Sequence, residues 1–328
     1  MYCLKDKKLL VTGANGYVGR NLIRSLKEKG YRVIAATRDE KYLQFFERMG
    51  VEHRVLNFFN ANELEKNLHD IDVVFHVAAD LRNWGKATVS SDFNVTGTKN
   101  LLNAVKQRAN RFVLVSTEAI FLGRENLVDL DDTTAYPVKS IGSYARSKKT
   151  TEQIVLQSSV DNFSCMSVRP RMVWGRDDTT ILPKLKKAIA AGRFLWIEHG
   201  QYLTSTTHID NLCEVLELAA MKGVGGKSYF VTDGAPIFFR EFVSHLLSNS
   251  DGLIPTKSIP RKLAMLMGVC VEWVWGVLDI ESPPPITCSQ VLLTGSPVTI
   301  DDSRARQELG YVGISFEKLK AGISKIQI

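Results

Sequence analysis

A doubly wound α/β fold, with helices on both faces of a parallel sheet and a smaller, mainly helical lobe after it, is what this 328-residue sequence predicts. Two observations carry that reading. Through the first half, short β-branched runs alternate with amphipathic helical stretches, and repeated strand–helix units demand a parallel sheet with right-handed crossovers. The first of these strands also runs into a glycine-rich turn that opens directly into a helix. The composition, 45% hydrophobic and 23% charged, excludes a disordered or fibrous chain.

The elements follow in order. Lys8–Thr12 reads as a strand and Val18–Lys29 as a helix closed by Gly30 in the place of a C-cap. Arg32–Thr37 is the next strand, with a helix near Lys41–Met49, a strand near His53–Leu56 and a helix from Asn62. Asp72–Val77 is almost wholly apolar, as a strand buried on both faces should be. A helix over about Asn94–Arg108 leads to a further buried strand, Phe112–Ser116. Beyond it come a helix at Ser143–Leu156, a strand at Ser164–Val168, a helix at Ile181–Ala190 and an amphipathic helix at Asp210–Met221. After Gly234-Ala235-Pro236 the pattern is helical with proline breaks, notably Pro283-Pro284-Pro285.

The net charge of +7 is spread thinly, with no long basic run, and is not the footprint of a nucleic-acid binder. Five cysteines lie far apart without a CxxC pair. A disulfide framework or metal site is not expected, and a reducing, cytoplasmic compartment is. The stretch Leu263 to Leu278 is apolar except for Glu272. It is shorter than the roughly 20 residues of a membrane span, so it is expected to pack or to rest at a membrane surface.

Thr12-Gly-Ala-Asn-Gly-Tyr-Val-Gly19 follows the first strand. Gly13 can turn sharply off the strand, Gly16 lets the backbone approach a pyrophosphate, and Gly19 lets the helix pack closely on the sheet. The free N–H groups of the helix start then face the phosphates, so Asn15, Tyr17 and Val18 join the expected cradle. In this strand–loop–helix context the spacing predicts a dinucleotide site. Residues 1–170 are therefore read as the dinucleotide-binding core and 171–328 as the substrate lobe, with about 205–232 returning to the core. The second strand ends Ala36-Thr37-Arg38, with Thr37 where an NAD site commonly has a carboxylate. A guanidinium at Arg38 suits the 2′-phosphate of NADP, which is favoured over NAD. Asn57, beside Phe58, is placed to touch the adenine edge.

Tyr144 and Lys148 stand at i and i+4, on one helix face about 6 Å apart along the axis. A free phenol with pKa near 10 is a poor base at pH 7. A neighbouring ammonium, together with the positive ring of an oxidised nicotinamide, is expected to pull that value down. Tyr144 then serves as general acid/base for an alcohol–ketone pair, and Thr117 hydrogen-bonds the substrate oxygen. Either pair alone is common on helices and strand ends. Their order after the glycine loop gives them weight.

The stretches TGANGYVG, FHVAA, NVTGTKNLL, VLVSTEA, YARSK, VRPRMVWG, THIDNL and DDSRARQELGY together resemble the extended branch of the short-chain dehydrogenase/reductase superfamily, which has a Rossmann fold. Within it the sequence is most similar to the group of 3β-hydroxysteroid dehydrogenases, sterol decarboxylating dehydrogenases and dihydroflavonol reductases. The resemblance implies that Tyr144 is the acid/base, Lys148 its electrostatic partner and Thr117 the catalytic hydroxyl, with Ser116 as the fallback. It implies a proton-path role for Asn94, places Ala78 and Ala79 along the nicotinamide ribose, and packs Pro170, Met172 and Val173 near the nicotinamide. His76 and His208 are read as structural. A homodimer through the Tyr–Lys helix comes by the same analogy.

The expected function is NADP(H)-dependent interconversion of a secondary alcohol and a ketone on an apolar, steroid-, flavonoid- or isoprenoid-like substrate. Leu263–Leu278, with Trp84, Trp174 and Trp196, is expected to wall a greasy pocket. One alternative is a sugar-nucleotide epimerase with bound NAD, which Arg38 disfavours. Dehydratase chemistry lacks its second acid, because Ala119 follows Glu118. A non-catalytic NADP-binding regulator is disfavoured by the intact Tyr144–Lys148 pair. The loops near 80–90, 124–142, 175–205 and 255–290 are expected to set substrate specificity.

Overall fold

Seven parallel strands form the central sheet of the computed structural model, which describes residues 1–82, 84, 92–248 and 254–322. The strands are β1 (Lys8–Thr12), β2 (Arg32–Thr37), β3 (Glu52–Val55), β4 (Val73–His76), β5 (Arg111–Val115), β6 (Ser164–Pro170) and β7 (Ser228–Val231). Their spatial order is β7-β6-β5-β4-β1-β2-β3. The chain winds outward from β1 to β3, then returns to β4 on the other side of β1. That reversal opens a crevice beyond the carboxyl ends of β1 and β4, where ligands of such sheets bind.

The strands are apolar on both faces because both faces are covered. Leu9 and Val11 of β1, Val73 and Phe75 of β4 and Val113 of β5 pack against α1 (Tyr17–Glu28) and the later helix Ile209–Lys222. The alternate residues Leu10, Val74, Phe112 and Leu114 pack on the opposite side. There they meet Leu64 of Ala61–Asn67, Leu101 and Val105 of Thr98–Val105, and Val155 of Ser143–Gln157. Numbering helices in chain order, α2 is Leu43–Arg48, α3 Ala61–Asn67, α4 Thr98–Val105 and α5 Ser143–Gln157. They are followed by α6 (Ile181–Ala190), α7 (Ile209–Lys222), α8 (Phe239–Ser248), α9 (Arg261–Val277), α10 (Cys288–Thr294) and α11 (Phe316–Lys320). The helix expected over Asn94–Arg108 is shorter: a wide turn at Asp92–Gly97 precedes α4.

The lobe has its own apolar centre, in which Trp174, Trp196, Tyr202, Phe239, Phe242 and Phe316 are buried. Trp174 packs edge-on against His208 at 4.8 Å, and its Nε1 donates to Asp233 Oδ2 (2.7 Å). It does not line the cavity described below, and neither does Trp84, whose Nε1 donates to the Ile280 carbonyl at 2.9 Å. Of the three tryptophans expected in the pocket wall only Trp196 is there.

The apolar stretch Leu263–Leu278 forms most of α9 and contributes no cavity-lining residue, contrary to expectation. Instead α9 lies behind α10. Its glycine, Gly268, brings the two helices close: a Cβ there would sit 3.1 Å from the Cys288 nitrogen. Glu272 Oε1 accepts that same N–H at 2.9 Å, so the one charge in the stretch turns inward to the start of α10. Leu266, Val269, Trp273 and Val277 face outward. Among the described residues no helix is long and apolar enough to cross a membrane.

Candidate active site

At the carboxyl ends of β1, β4, β5 and β6 a cavity of about 870 Å³ runs from the glycine loop into the lobe. Gly13 turns off β1 with φ of +64°, the left-handed region that favours glycine. A Cβ at Gly13 would lie 2.7 Å from the Ala78 nitrogen, so only a bare backbone fits where β1 meets β4. Gly19 does not line the cavity. Its Cβ would lie 2.3 Å from the Gly13 oxygen, which makes it the contact that lets α1 start tight under the loop. Gly16 caps α1 without any side-chain acceptor over the first N–H groups, leaving them and the positive end of the helix dipole for an anion.

Thr12 Oγ1 accepts from the Ala78 N–H (3.2 Å) and pairs with His76 Nδ1 (2.8 Å), while His76 Nε2 meets Thr98 Oγ1 (2.9 Å). Burial pushes the His76 imidazole down to about 3, with the Lys148 charge acting the same way. The ring is neutral at pH 7 and braces the ends of β1 and β4.

Asn15, Gly16, Tyr17, Val18, Arg38, Phe58, Ala78, Ala79, Thr117, Tyr144, Lys148, Pro170, Met172 and Val173 all line the cavity with Gly13. Besides Gly19, two expected residues do not. Asn57 folds onto its own turn, where Oδ1 accepts from the Phe59 N–H at 3.0 Å. Asn94 fastens the chain after β4: Oδ1 accepts from Asp80 N (2.7 Å), and Nδ2 donates to the Asp80 carbonyl (3.0 Å) and to Ser147 Oγ (3.0 Å).

Arg38 is exposed at the mouth, its guanidinium 4.8 Å from the centre of the Phe93 ring. Thr37, by contrast, is inward and committed, donating to the Asp39 carbonyl (2.9 Å). Asp39 pairs with Lys41 outside the cavity. Among the described lining residues the one carboxylate is Glu118, which follows β5 at the catalytic end.

There α5 presents Tyr144 and Lys148 to the end of β5. Lys148 is buried, donates from Nζ to the Val115 carbonyl (2.7 Å), and is pulled by burial to about 8, with Glu152 acting against that. Glu152, one turn further along α5, is fully buried. Burial pushes its carboxyl up, but Arg169 more than offsets this and holds it below the usual range. Arg169 Nη2 reaches Glu152 Oε1 at 2.7 Å, which pins α5 to β6.

The expected lowering of the Tyr144 phenol by Lys148 is not a property of the chain alone. Burial and the Glu118 carboxylate raise it well above its ordinary value, against a hydrogen bond with Thr117, while the Lys148 ammonium donates to the Val115 carbonyl. The site therefore holds a protonated phenol at neutral pH. Such a group gives a proton readily only to an oxygen that is becoming an alkoxide.

Arg171 and the lining residues of the lobe helix α10 escaped the motif reading. Arg171 is 1% exposed. Its Nη1 lies 2.6 Å from Glu118 Oε1, Nε donates to Thr204 Oγ1 (3.1 Å) and Nη2 to the Leu293 carbonyl (2.7 Å). Burial pulls its guanidinium below the ordinary value, opposed by Glu118.

With this geometry in hand, the model of the 3-beta hydroxysteroid dehydrogenase/isomerase family matches residues 10–264. The chain belongs to that family. A ketoreductase of Stigmatella aurantiaca, acting on 4-hydroxy-2-methyl-3-oxo-4-farnesyl-3,4-dihydroquinoline-1-oxide, is 37% identical over 307 residues, covering 93% of this chain and 92% of its own. The 2-alkyl-3-oxoalkanoate reductase of Stenotrophomonas maltophilia is 28% identical over 323 residues, covering 93% and 94%. The solved structure of gox2253 superimposes with a TM-score of 0.78 at 25% identity over 96% of both chains. This member of the 3-beta hydroxysteroid dehydrogenase/isomerase family is an NAD(P)-dependent dehydrogenase/reductase of the extended short-chain type. The residues present fit that cofactor: a tight glycine turn off β1, an uncapped helix start behind it, and one continuous cavity from there to Tyr144.

Proposed function

We propose that this protein is an NADPH-dependent ketoreductase that converts an apolar, isoprenoid- or steroid-like ketone to its secondary alcohol. The observation that carries the reading is the continuity of the cavity. Beyond Tyr144 its lining is mainly apolar, with Leu185, Ala188, Phe194, Leu195, Phe239 and Val243 among its residues and Thr180, Lys184, Gln290 and Thr294 as polar members. The apolar part of such a lining stabilises buried hydrocarbon by about 25 cal/mol per Å². The farnesylated ketone named for the Stigmatella relative is a ligand of that chemistry.

Arg38 takes the 2′-phosphate. Its guanidinium stands at the mouth over Phe93, and no described carboxylate lines that end to repel a dianion or to bind a bare ribose. The reduced nicotinamide, when bound, supplies the hydride that the carbonyl carbon accepts. Tyr144 donates its phenolic proton to the carbonyl oxygen, which completes the alcohol. Lys148, whose Nζ is fixed at the end of β5, would hold the nicotinamide ribose. Pro170, Met172 and Val173 would pack along the nicotinamide, and Thr117 lines the same cavity as Tyr144.

The test is NADPH consumption against a panel of prenylated, steroidal and alkyl ketones, run beside UDP- and dTDP-sugars. The reading expects turnover with an apolar ketone and a clear preference for NADPH over NADH. Stoichiometric tightly held NAD with turnover of a sugar nucleotide would overturn it.

A further inference from the structure

One side of α9 is buried and the other is bare. On the inner side Ala264 and Gly268 are buried, Gly268 closes on α10, and Glu272 accepts the Cys288 N–H. The outer side repeats every seven residues. Leu263, Cys270 and Val277 form one row, with Leu266 and Trp273 on one flank and Met267 and Val274 on the other. All of these are exposed, Trp273 by 68% and Val277 by 63%, and none carries a charge. Contiguous apolar surface of more than a few hundred Å² is uncommon on a soluble monomer. A stripe at mixed three- and four-residue spacing is what one helix presents to another.

We propose that this chain forms a homodimer through α9, packed antiparallel on the α9 of a second copy about a two-fold axis at Cys270. Such an axis reverses both the direction of the helix and the side on which each residue lies, so positions equally far from Cys270 meet across the seam. Met267 of one copy then faces Trp273 of the other, Leu266 faces Val274, and Leu263 faces Val277, apolar against apolar each time. A contact of one surface with itself requires this self-complementarity.

The charges at the two ends fit the same axis. The exposed Lys262 stands at the start of the stripe, and the exposed Asp279 and Glu281 follow its end. Antiparallel pairing brings the cation of one copy to the carboxylates of the other at both ends of the seam. An anionic bilayer laid on the same face would meet those carboxylates with like charge. The Tyr–Lys helix α5 offers no comparable surface, since its exposed residues are Arg146 and Gln157. The seam is also separate from the reaction, because α9 contributes no residue to the cavity and meets it only through α10.

The test is the oligomeric state of the full chain, read by sedimentation velocity at micromolar concentration. The native chain is expected to be a dimer. Trp273→Asp and, separately, Leu266→Glu set a charge in the stripe. Each is expected to raise the dissociation constant roughly 30-fold or more, as loss of a central interface anchor does, with NADPH binding nearly unchanged. A second arm needs no charged variant. A short bifunctional maleimide is expected to join two native chains through Cys270, and Cys270→Ser is expected to lose that link. A monomeric native chain, a dimer that survives both charged variants, or a cross-link that survives Cys270→Ser would overturn the proposal. So would a native monomer that co-sediments with phosphatidylglycerol vesicles and is released by Trp273→Asp, an outcome that gives the face to a bilayer instead.

Discussion

Lys148 Nζ lies 2.7 Å from the carbonyl oxygen of Val115, and both residues are buried at the point where β5 ends. The bond fixes the ammonium at the end of β5, two residues before Thr117. The same burial makes it less basic, at about 8. A lysine whose value is lowered is charged below that pH and neutral above it. Reductive kcat/KM, which reports the free enzyme, is therefore expected to be flat at neutral pH and to fall as pH rises through about 8. In Lys148→Met the rate is expected to drop and this limb to vanish. An unchanged limb in that variant would assign it to another group.

Arg38 is expected to decide between the two nicotinamide cofactors. A charge-assisted hydrogen bond to a phosphate contributes about 1.5–3 kcal/mol, so Arg38→Ala is expected to weaken NADPH binding by roughly 10- to 150-fold. NADH binding should stay where it is. Fluorescence titration with both cofactors measures this, and an equal loss for each would remove Arg38 from the 2′-phosphate site.

Gly13 and Gly30 both have positive φ, +64° and +78°, but only Gly13 has the Ala78 backbone against it. Alanine at either site meets a left-handed penalty of about 1–2 kcal/mol. Gly13→Ala adds a collision 2.7 Å from a main-chain nitrogen. It is expected to lower the melting temperature more than Gly30→Ala and to abolish NADPH binding, which Gly30→Ala should leave intact. Equal behaviour of the two would deny the close approach of β1 and β4 any part in the cofactor site.

Ala188 of α6 is a small residue on the apolar stretch of the cavity. Ala188→Phe fills space that a long hydrocarbon chain would use. It is expected to reduce kcat/KM about tenfold or more for a prenylated ketone while sparing a short alkyl ketone, since each excluded methylene is worth about 0.8 kcal/mol. Equal effects on both would place the hydrocarbon chain elsewhere.

The parts of this site that were legible in the sequence are those whose signal is local. The spacing of Gly13, Gly16 and Gly19, the Arg38 at a strand end and the Tyr144–Lys148 helix pair each lie within a few residues, and the backbone periodicity alone brings them to one end of the sheet. What was not legible depends on contacts between distant segments. Glu118 and Arg171 are 53 residues apart, and Arg171 meets Leu293 across 122. Apolar patterning made α9 a good candidate for the pocket wall, yet Glu272 turns inward to α10 and leaves α10 to form the wall. Likewise Trp174 has the composition of a pocket residue, but Asp233 and His208 hold it in the lobe core. The Tyr144 phenol was expected to be lowered by its helical neighbour together with an oxidised nicotinamide. In the chain by itself, depth of burial and the Glu118 carboxylate, neither visible in a one-dimensional pattern, raise it.

The central claim is that Tyr144 delivers the proton while the bound nicotinamide delivers the hydride. A single-turnover experiment with 4-deuterated NADPH and an accepted apolar ketone, comparing the native chain with Tyr144→Phe, reads both halves at once. The account predicts deuterium on the carbinol carbon in the native reaction, and a rate in Tyr144→Phe lower by roughly 10²- to 10⁴-fold with NADPH affinity nearly unchanged. Native-like turnover by Tyr144→Phe, or an alcohol formed without the label, would contradict it.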